Sequence, residues 1–225
     1  MNERLINGAT IVALACTVAA TVSVLRQPRG APYGRGPGSF GARTGTVIPD
    51  WKTYAQRGEW RGPARAKVIL VEFADYQCPA CRKLEGVLRA AQAAHAADLA
   101  VVFRNYPLTR IHPRAMEEAN AAECAAAQGR FSDMHDLLFA LQDSMTGLSV
   151  GDVARRAGIQ RQAAFDTCVG QNLYQARIDE DRGEGRTLGV AGTPTLLING
   201  VLVEGAPDSI ALERYIENAI ETHDR

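Results

Sequence analysis

The chain has 225 residues, of which 46% are hydrophobic and 22% charged, enough for one good-sized core in a single domain or in a domain carrying a large insertion. Lys plus Arg and Asp plus Glu both number 25, so the formal charge is zero and no overall field points to nucleic acid as a partner.

The first element in chain order stands outside the fold. Ala9 to Leu25 carries no charge and follows a short segment containing Arg4, the pattern of an export signal or a single membrane anchor rather than of a core helix. "VAA" at Val18 to Ala20 and "ALAC" ending at Cys16 are both poor cleavage sites, so residues 1–25 are read as a retained anchor, with a cleaved, secreted form as the alternative. Arg26 and Arg29 lie just after the span, where the positive-inside rule runs against an exported domain. Residues 26–46 are rich in Gly, Pro and Arg with no apolar period and read as a disordered tether. The GxGxxG spelled there by Gly36, Gly38 and Gly41 has no strand before it and no helix after it, which leaves it a compositional match.

The folded part is expected from Val47 to the C-terminus, residues 47–225, with Trp51 and Trp60 packing its lead-in against the domain. Val68 to Val71 form a continuous apolar run, as in a strand buried on both faces, and helical spacing follows from Cys78. A second apolar strand, "LAVVFRNYPL", comes next, and a strand–helix–strand crossover of this length implies parallel strands. From Pro113 the chain turns Ala-rich and helical, an insertion over about 113–185 punctuated by Gly129, Gly147 and Gly158. Its apolar stripes are Met116, Ala119, Cys124 and Ala127, then Phe131, Met134, His135 and Leu138, then Phe165, Cys168, Val169, Leu173 and Ala176. Beta structure returns in Thr195–Ile198 and Val201–Glu204 around Asn199-Gly200, the strongest short hairpin signal. Asp208 then caps a helix with Leu212, Tyr215, Ile216, Ala219 and Ile220 on its apolar face. The plan is α/β: βαβ, helical insertion, ββα.

Cys78 and Cys81, in "CPAC", are either half a metal site or a redox dithiol. A zinc site needs about four ligands, and Cys124 and Cys168 are lone residues far along the chain, so no metal is expected. A redox pair needs the first turn of a helix that follows a strand, which is where CPAC falls. With Cys78 at the N-cap and Pro79 at the first helical position, the Cys78 sulfur sits over free backbone N–H groups and the positive end of the helix dipole. Cys81 comes round to the same face beyond Pro79 and Ala80, deeper and less accessible. Cys78 therefore attacks and Cys81 resolves. His112 reads as a turn marker, His135 as helix packing, and His95 and His223 as exposed, none with a partner at ligand spacing.

Phe73, Asp75, Tyr76, Cys78, Pro79 and Cys81 spell F-x-D-Y-x-C-P-x-C, and "YPL…HP", "AAQGRF" and "GVAGTPTLLINGVLVEG" follow in order. On these motifs the chain, from Val47 to its end, resembles the DsbA-like thiol:disulfide oxidoreductases of thioredoxin fold. The resemblance implies that Thr193-Pro194 is a cis-proline dipeptide that faces the redox pair and pairs with an extended substrate chain, where an ordinary trans proline opening a strand would otherwise be the default. It also implies that Glu72 is a buried acid serving Cys81 as proton acceptor, against the alternative of a surface glutamate. Asp75 and Tyr76 are read as shaping the loop. Cys124 and Cys168 each lie on the apolar stripe of their own helix, and the resemblance includes members with a comparable second pair, so a structural disulfide is expected. The alternative is two separate small core residues.

The resulting expectation is an extracytoplasmic, periplasmic disulfide oxidase held at the membrane by its N-terminal segment, acting as a monomer. It needs no cofactor beyond the Cys78–Cys81 disulfide. Its partners are cysteine-containing secreted polypeptides and a quinone-linked or other thiol redox partner in the membrane. A reductase or isomerase of the same fold, or a polypeptide-binding module with incidental redox activity, are the alternatives.

Overall fold

The computed structural model describes residues 40–224, with side chains from residue 45 onward. The anchor expected at 1–25 and the tether at 26–39 lie outside the described residues, among which no helix is long and apolar enough to cross a membrane. The tether expectation is corrected at its end. Phe40–Val47 (β1) is a strand, paired antiparallel with Val201–Ala206 (β6) from Phe40↔Ala206 to Val47↔Val201. Strand pairing uses main-chain groups and needs no apolar period, so an edge strand can be built from a stretch that sequence pattern marks as featureless. Its register shifts between Thr44 and Thr46, where Gly45 has φ +148°, a backbone region open to glycine and a natural place for a bulge.

After a short helix Lys52–Ala55 (α1) and an edge strand Glu59–Arg61 (β2), Val68–Ala74 (β3), Pro79–Ala94 (α2) and Leu99–Asn105 (β4) form the βαβ unit. β3 and β4 run parallel from Val68↔Leu99 to Ala74↔Asn105. Five helices follow: Ala115–Ala126 (α3), Phe131–Ala140 (α4), Val150–Arg156 (α5), Gln162–Gly170 (α6) and Gln175–Leu188 (α7), with a 3-10 turn at Gln142–Gly147. Thr195–Ile198 (β5), β6 and Ser209–His223 (α8) close the chain. The sheet order is β1-β6-β5-β3-β4-β2, a mixed sheet with helices on both faces, which is the thioredoxin-type α/β arrangement.

Alternation along β3 sorts its residues between two cores. Val68 and Leu70 pack with Leu84 and Leu88 of α2 and with Leu212 and Ile216 of α8; Val71 and Phe73 face Tyr106, Leu188 and Leu197 on the other side. A third core joins the helical insertion to the sheet end through Tyr76, Cys81, Phe103, Phe131, Met134 and Phe139. The stripe expected from Phe165 through Ala176 is broken: α6 ends at Gly170, Asn172 takes φ +50°, and Leu173 is exposed. A left-handed residue cannot continue a helix. Trp60 is also exposed, on the edge strand β2 whose one paired neighbour is β4, while Trp51 packs over Gly200.

Two features fix the frame. Asn199 and Gly200 both have positive φ, as a two-residue hairpin of the mirror-image turn type needs, and Asn199 also accepts from Ile69 N at 2.8 Å and donates to Lys67 O at 2.8 Å. Arg104, wholly buried on β4, donates to Asp181 Oδ1 at 2.7 Å, Glu184 at 2.6 Å and the Tyr54 carbonyl at 2.7 Å, so α7 and α1 are tied to the sheet through one guanidinium that uses all three of its nitrogens.

Candidate active site

β3 ends at Ala74, three loop residues follow, and Cys78 takes the N-cap of α2 with φ −76° and ψ 119°, ahead of Pro79. Asp75 ties down the loop: its Oδ1 accepts from Gln77 N at 2.7 Å, and its Oδ2 from Leu108 N at 2.7 Å and from His112 Nδ1 at 2.8 Å. His112 thus has a specific partner in the site's supporting loop.

The two sulfurs occupy unequal positions. Cys78 is 7% exposed and Cys81 fully buried; both are free thiols here. The Cys81 thiol hydrogen-bonds to Cys78, and Thr193 and the backbone N–H groups of Cys81 and Ala80 add to this; together they outweigh burial and hold the Cys78 thiol down to about 5. Cys81 is pushed well above the ordinary thiol range by burial first, then by its bond to Cys78 and by the negative charge Cys78 carries. At neutral pH the pair is one thiolate and one thiol.

The Thr193-Pro194 peptide bond is cis, and the Thr193 carbonyl lies 3.3 Å from Cys78 Sγ. The antiparallel pairing of β3 with β5, Phe73 opposite Thr195, brings this dipeptide to the end of the sheet where the redox helix starts. Gly205 N bonds to the Pro194 carbonyl at 2.9 Å, fastening the loop to β6.

Beneath the pair lies a group that sequence reading found in part. Glu72 is fully buried on the α2 side of β3, and neither carboxylate oxygen has a hydrogen-bond partner among the described residues. Burial, then the negative charge of Glu85, push it well above the carboxylate range, with Arg61 opposing, so it is a neutral acid. Glu85, one turn beyond Cys81 on α2, was not singled out in the sequence, although its i+4 spacing from Cys81 was a legible signal. Burial pushes Glu85 up, but His135 and Arg61 outweigh it and hold it below its ordinary value. Arg61 Nη1 is 3.1 Å from Glu85 Oε1 and 2.7 Å from His135 Nε2, while Tyr76 Oη and His135 Nδ1 are 3.1 Å apart. His135 does pack on aromatic rings, at 4.8 Å from Phe103 and 5.1 Å from Phe139, and it also belongs to this polar chain. Ligand-type atoms of Glu85, His135 and Asp136 come within 4.8 Å of one another, but the Arg61 guanidinium contacts all three and supplies the positive charge there.

Cys124 of α3 and Cys168 of α6 form a disulfide with a sequence separation of 44. It lies in the core of the insertion beside Ala121, Phe131 and Phe165. His95, expected exposed, is half-buried and 2.6 Å from Glu213.

The sequence profile of the thioredoxin family matches residues 55–218. Among solved structures, BdbD of Bacillus subtilis in its oxidised form superposes with a TM-score of 0.68 at 20% identity, over 79% of this chain and 98% of that one. A thioredoxin-like oxidoreductase from Silicibacter pomeroyi gives 0.66 at 22% identity, over 77% and 99%. Among curated proteins, the Na(+)/H(+) antiporter NhaA 1 of Mycolicibacterium vanbaalenii is 35% identical over 162 residues, 72% of this chain but 26% of the antiporter. The chain thus spans about a quarter of the length of the curated relatives it matches.

Proposed function

This chain belongs to the thioredoxin family, and on that footing we propose that it is an extracytoplasmic thiol:disulfide oxidoreductase that introduces disulfides into secreted polypeptides through Cys78 and Cys81. The observation that carries this reading is the asymmetry of the pair: a nucleophilic sulfur at the helix N-cap with its thiol near 5, and a buried partner pushed the other way.

The chemistry follows from that asymmetry. A substrate thiolate attacks Cys78 of the Cys78–Cys81 disulfide; the S–S bond breaks, a mixed disulfide forms, and Cys81 leaves and takes up a proton. Glu72, neutral and buried beside it, supplies that proton and receives it back on re-oxidation. A second substrate thiolate then attacks the substrate sulfur and expels Cys78 as a thiolate. The substrate loses two electrons to the pair, and a thiol or quinone-linked partner in the membrane takes them away. Because a low thiol pKa stabilises the reduced form and makes Cys78 the better leaving group, the pair favours oxidation of substrates over their reduction. The backbone of Thr193-Pro194, beside Cys78, is the docking edge for an extended cysteine-containing chain. The internal Cys124–Cys168 bridge suits an oxidising compartment.

The test is to mix the oxidised protein with a reduced, unfolded multi-cysteine protein, count substrate thiols with time, and equilibrate the pair against glutathione. Two substrate thiols should disappear per redox pair, with a potential well above the roughly −270 mV of thioredoxin. A potential at or below that value would make the protein a reductase, and suppressed aggregation without thiol loss would make it a binding module.

A further inference from the structure

The 3-10 turn between α4 and α5 meets the start of α2 at two places. Gln142 donates its Nε2 amide to the Tyr76 carbonyl at 2.6 Å and to the Cys78 carbonyl at 3.1 Å, and Asp143 pairs with Arg82 at 2.5 Å. The Cys78 carbonyl also accepts the first helical bond, from Arg82 N at 3.2 Å. The Tyr76 carbonyl receives its hydrogen bond, among the described residues, from Gln142. The Cys78 carbonyl opens the helix ladder and the Tyr76 carbonyl lies before it, where no repeating ladder holds the backbone.

We propose that Gln142 is a positioning residue of the redox pair: by fastening the carbonyls on either side of Gln77, it holds Cys78 in the extended backbone conformation that sets its sulfur over the N-terminus of α2. The inference rests on the reading of Cys78 as the attacking sulfur. Rotation of ψ at Cys78 away from 119° would swing its carbonyl off Gln142 and shift the sulfur relative to the N–H groups of Ala80 and Cys81. Those N–H contacts weaken steeply with angle, so a loose N-cap is a weaker thiolate site. The Gln142 N–H groups also draw off negative potential from two carbonyl dipoles close to the sulfur. Gln142 touches neither sulfur nor substrate and acts through the Cys78 main chain, 64 residues away in sequence. This is a direct mechanical link from the helical insertion to the redox loop.

The experiment is the pH profile of iodoacetamide alkylation of Cys78 in the reduced full chain, for the wild type, Gln142→Leu, Gln142→Ala and Asp143→Ala. Both Gln142 variants should raise the Cys78 midpoint by about one unit, a tenfold loss of thiolate below it. Gln142→Ala removes the same donor without adding apolar bulk, so either folded variant suffices. Asp143→Ala loosens the same turn but leaves both carbonyl contacts, and should not raise the midpoint. A wild-type midpoint in the Gln142 variants, or an equal rise in Asp143→Ala, would overturn the proposal. A wild-type midpoint near the free-thiol value of roughly 8.5 would overturn the underlying reading of Cys78 itself.

Discussion

Cys78 Sγ lies 3.3 Å from the carbonyl oxygen of Thr193, across 115 residues of chain. The contact joins the start of α2 to the loop before β5, so the sulfur proposed to exchange with substrate and the backbone proposed to hold it form one site. Labelling of the reduced protein with an alkylating agent at graded pH is expected to modify Cys78 with a midpoint of about 5 and to leave Cys81 unmodified at neutral pH. Peptide mapping by mass spectrometry checks this; preferential labelling of Cys81 at low pH would reverse the roles.

The redox state should change how stability depends on pH. The Cys78 thiol is depressed from 9.0 to about 5 in the folded reduced protein, so its thiolate stabilises that form fully above 9 and the effect is lost as pH falls through 5. Cys81 is raised, which matters only above the ordinary thiol range. The oxidised pair does not titrate. The stability of reduced relative to oxidised protein should therefore rise by roughly 2 kcal/mol from pH 5 to pH 7 and further towards pH 9. Urea unfolding of both forms at three pH values measures it, and a pH-independent difference would contradict the assignment.

Glu72 sits in the core with no hydrogen-bond partner among the described residues, and its removal should separate stability from activity. Glu72→Met, close in volume and apolar, is expected to stabilise the protein at pH 7 by about 1–3 kcal/mol, since a buried polar group without partners is lost. Its folded-state pKa is raised, so protonation favours the fold fully below the ordinary 4.5 and this is lost as pH rises above it; the gain from substitution should accordingly shrink as pH falls from 7 towards 4.5 and level off below it. Disulfide exchange should slow in the same variant, because Cys81 loses its proton partner. Unchanged exchange kinetics in stopped-flow assays would remove Glu72 from the mechanism.

The bridge between Cys124 and Cys168 closes a loop with a sequence separation of 44. Replacing both by Ala should cost about 4 kcal/mol on the chain-entropy estimate, read as a lower denaturation midpoint. The alkylation midpoint of Cys78 should stay put, since the bridge joins α3 to α6 and neither carries the CPAC loop. A large shift in that midpoint would show that the bridge tunes the redox pair.

What the sequence determined by itself was local or periodic. The apolar run at Val68–Val71, the helical spacing after Cys78, Asn199-Gly200 and Asp208 each act over a few residues, so strand, helix, hairpin and cap could be read in order. The position of Cys78 before Pro79 dictated its N-cap geometry for the same reason. The tertiary structure decided everything that depends on residues distant in the chain. β1 exists because the outer edge of β6 offers main-chain partners to whatever segment reaches it, a property with no side-chain signature. Arg61, Glu85 and His135 look like ordinary surface or packing residues one at a time; only the docking of α4 against α2 and β2 gathers them into one polar cluster, whose Glu85 adds to the burial that raises Glu72 while Arg61 opposes it. Gln142 is equally silent in sequence, because a hydrogen bond to two main-chain carbonyls is set by where the helical insertion comes to rest and not by any spacing along the chain.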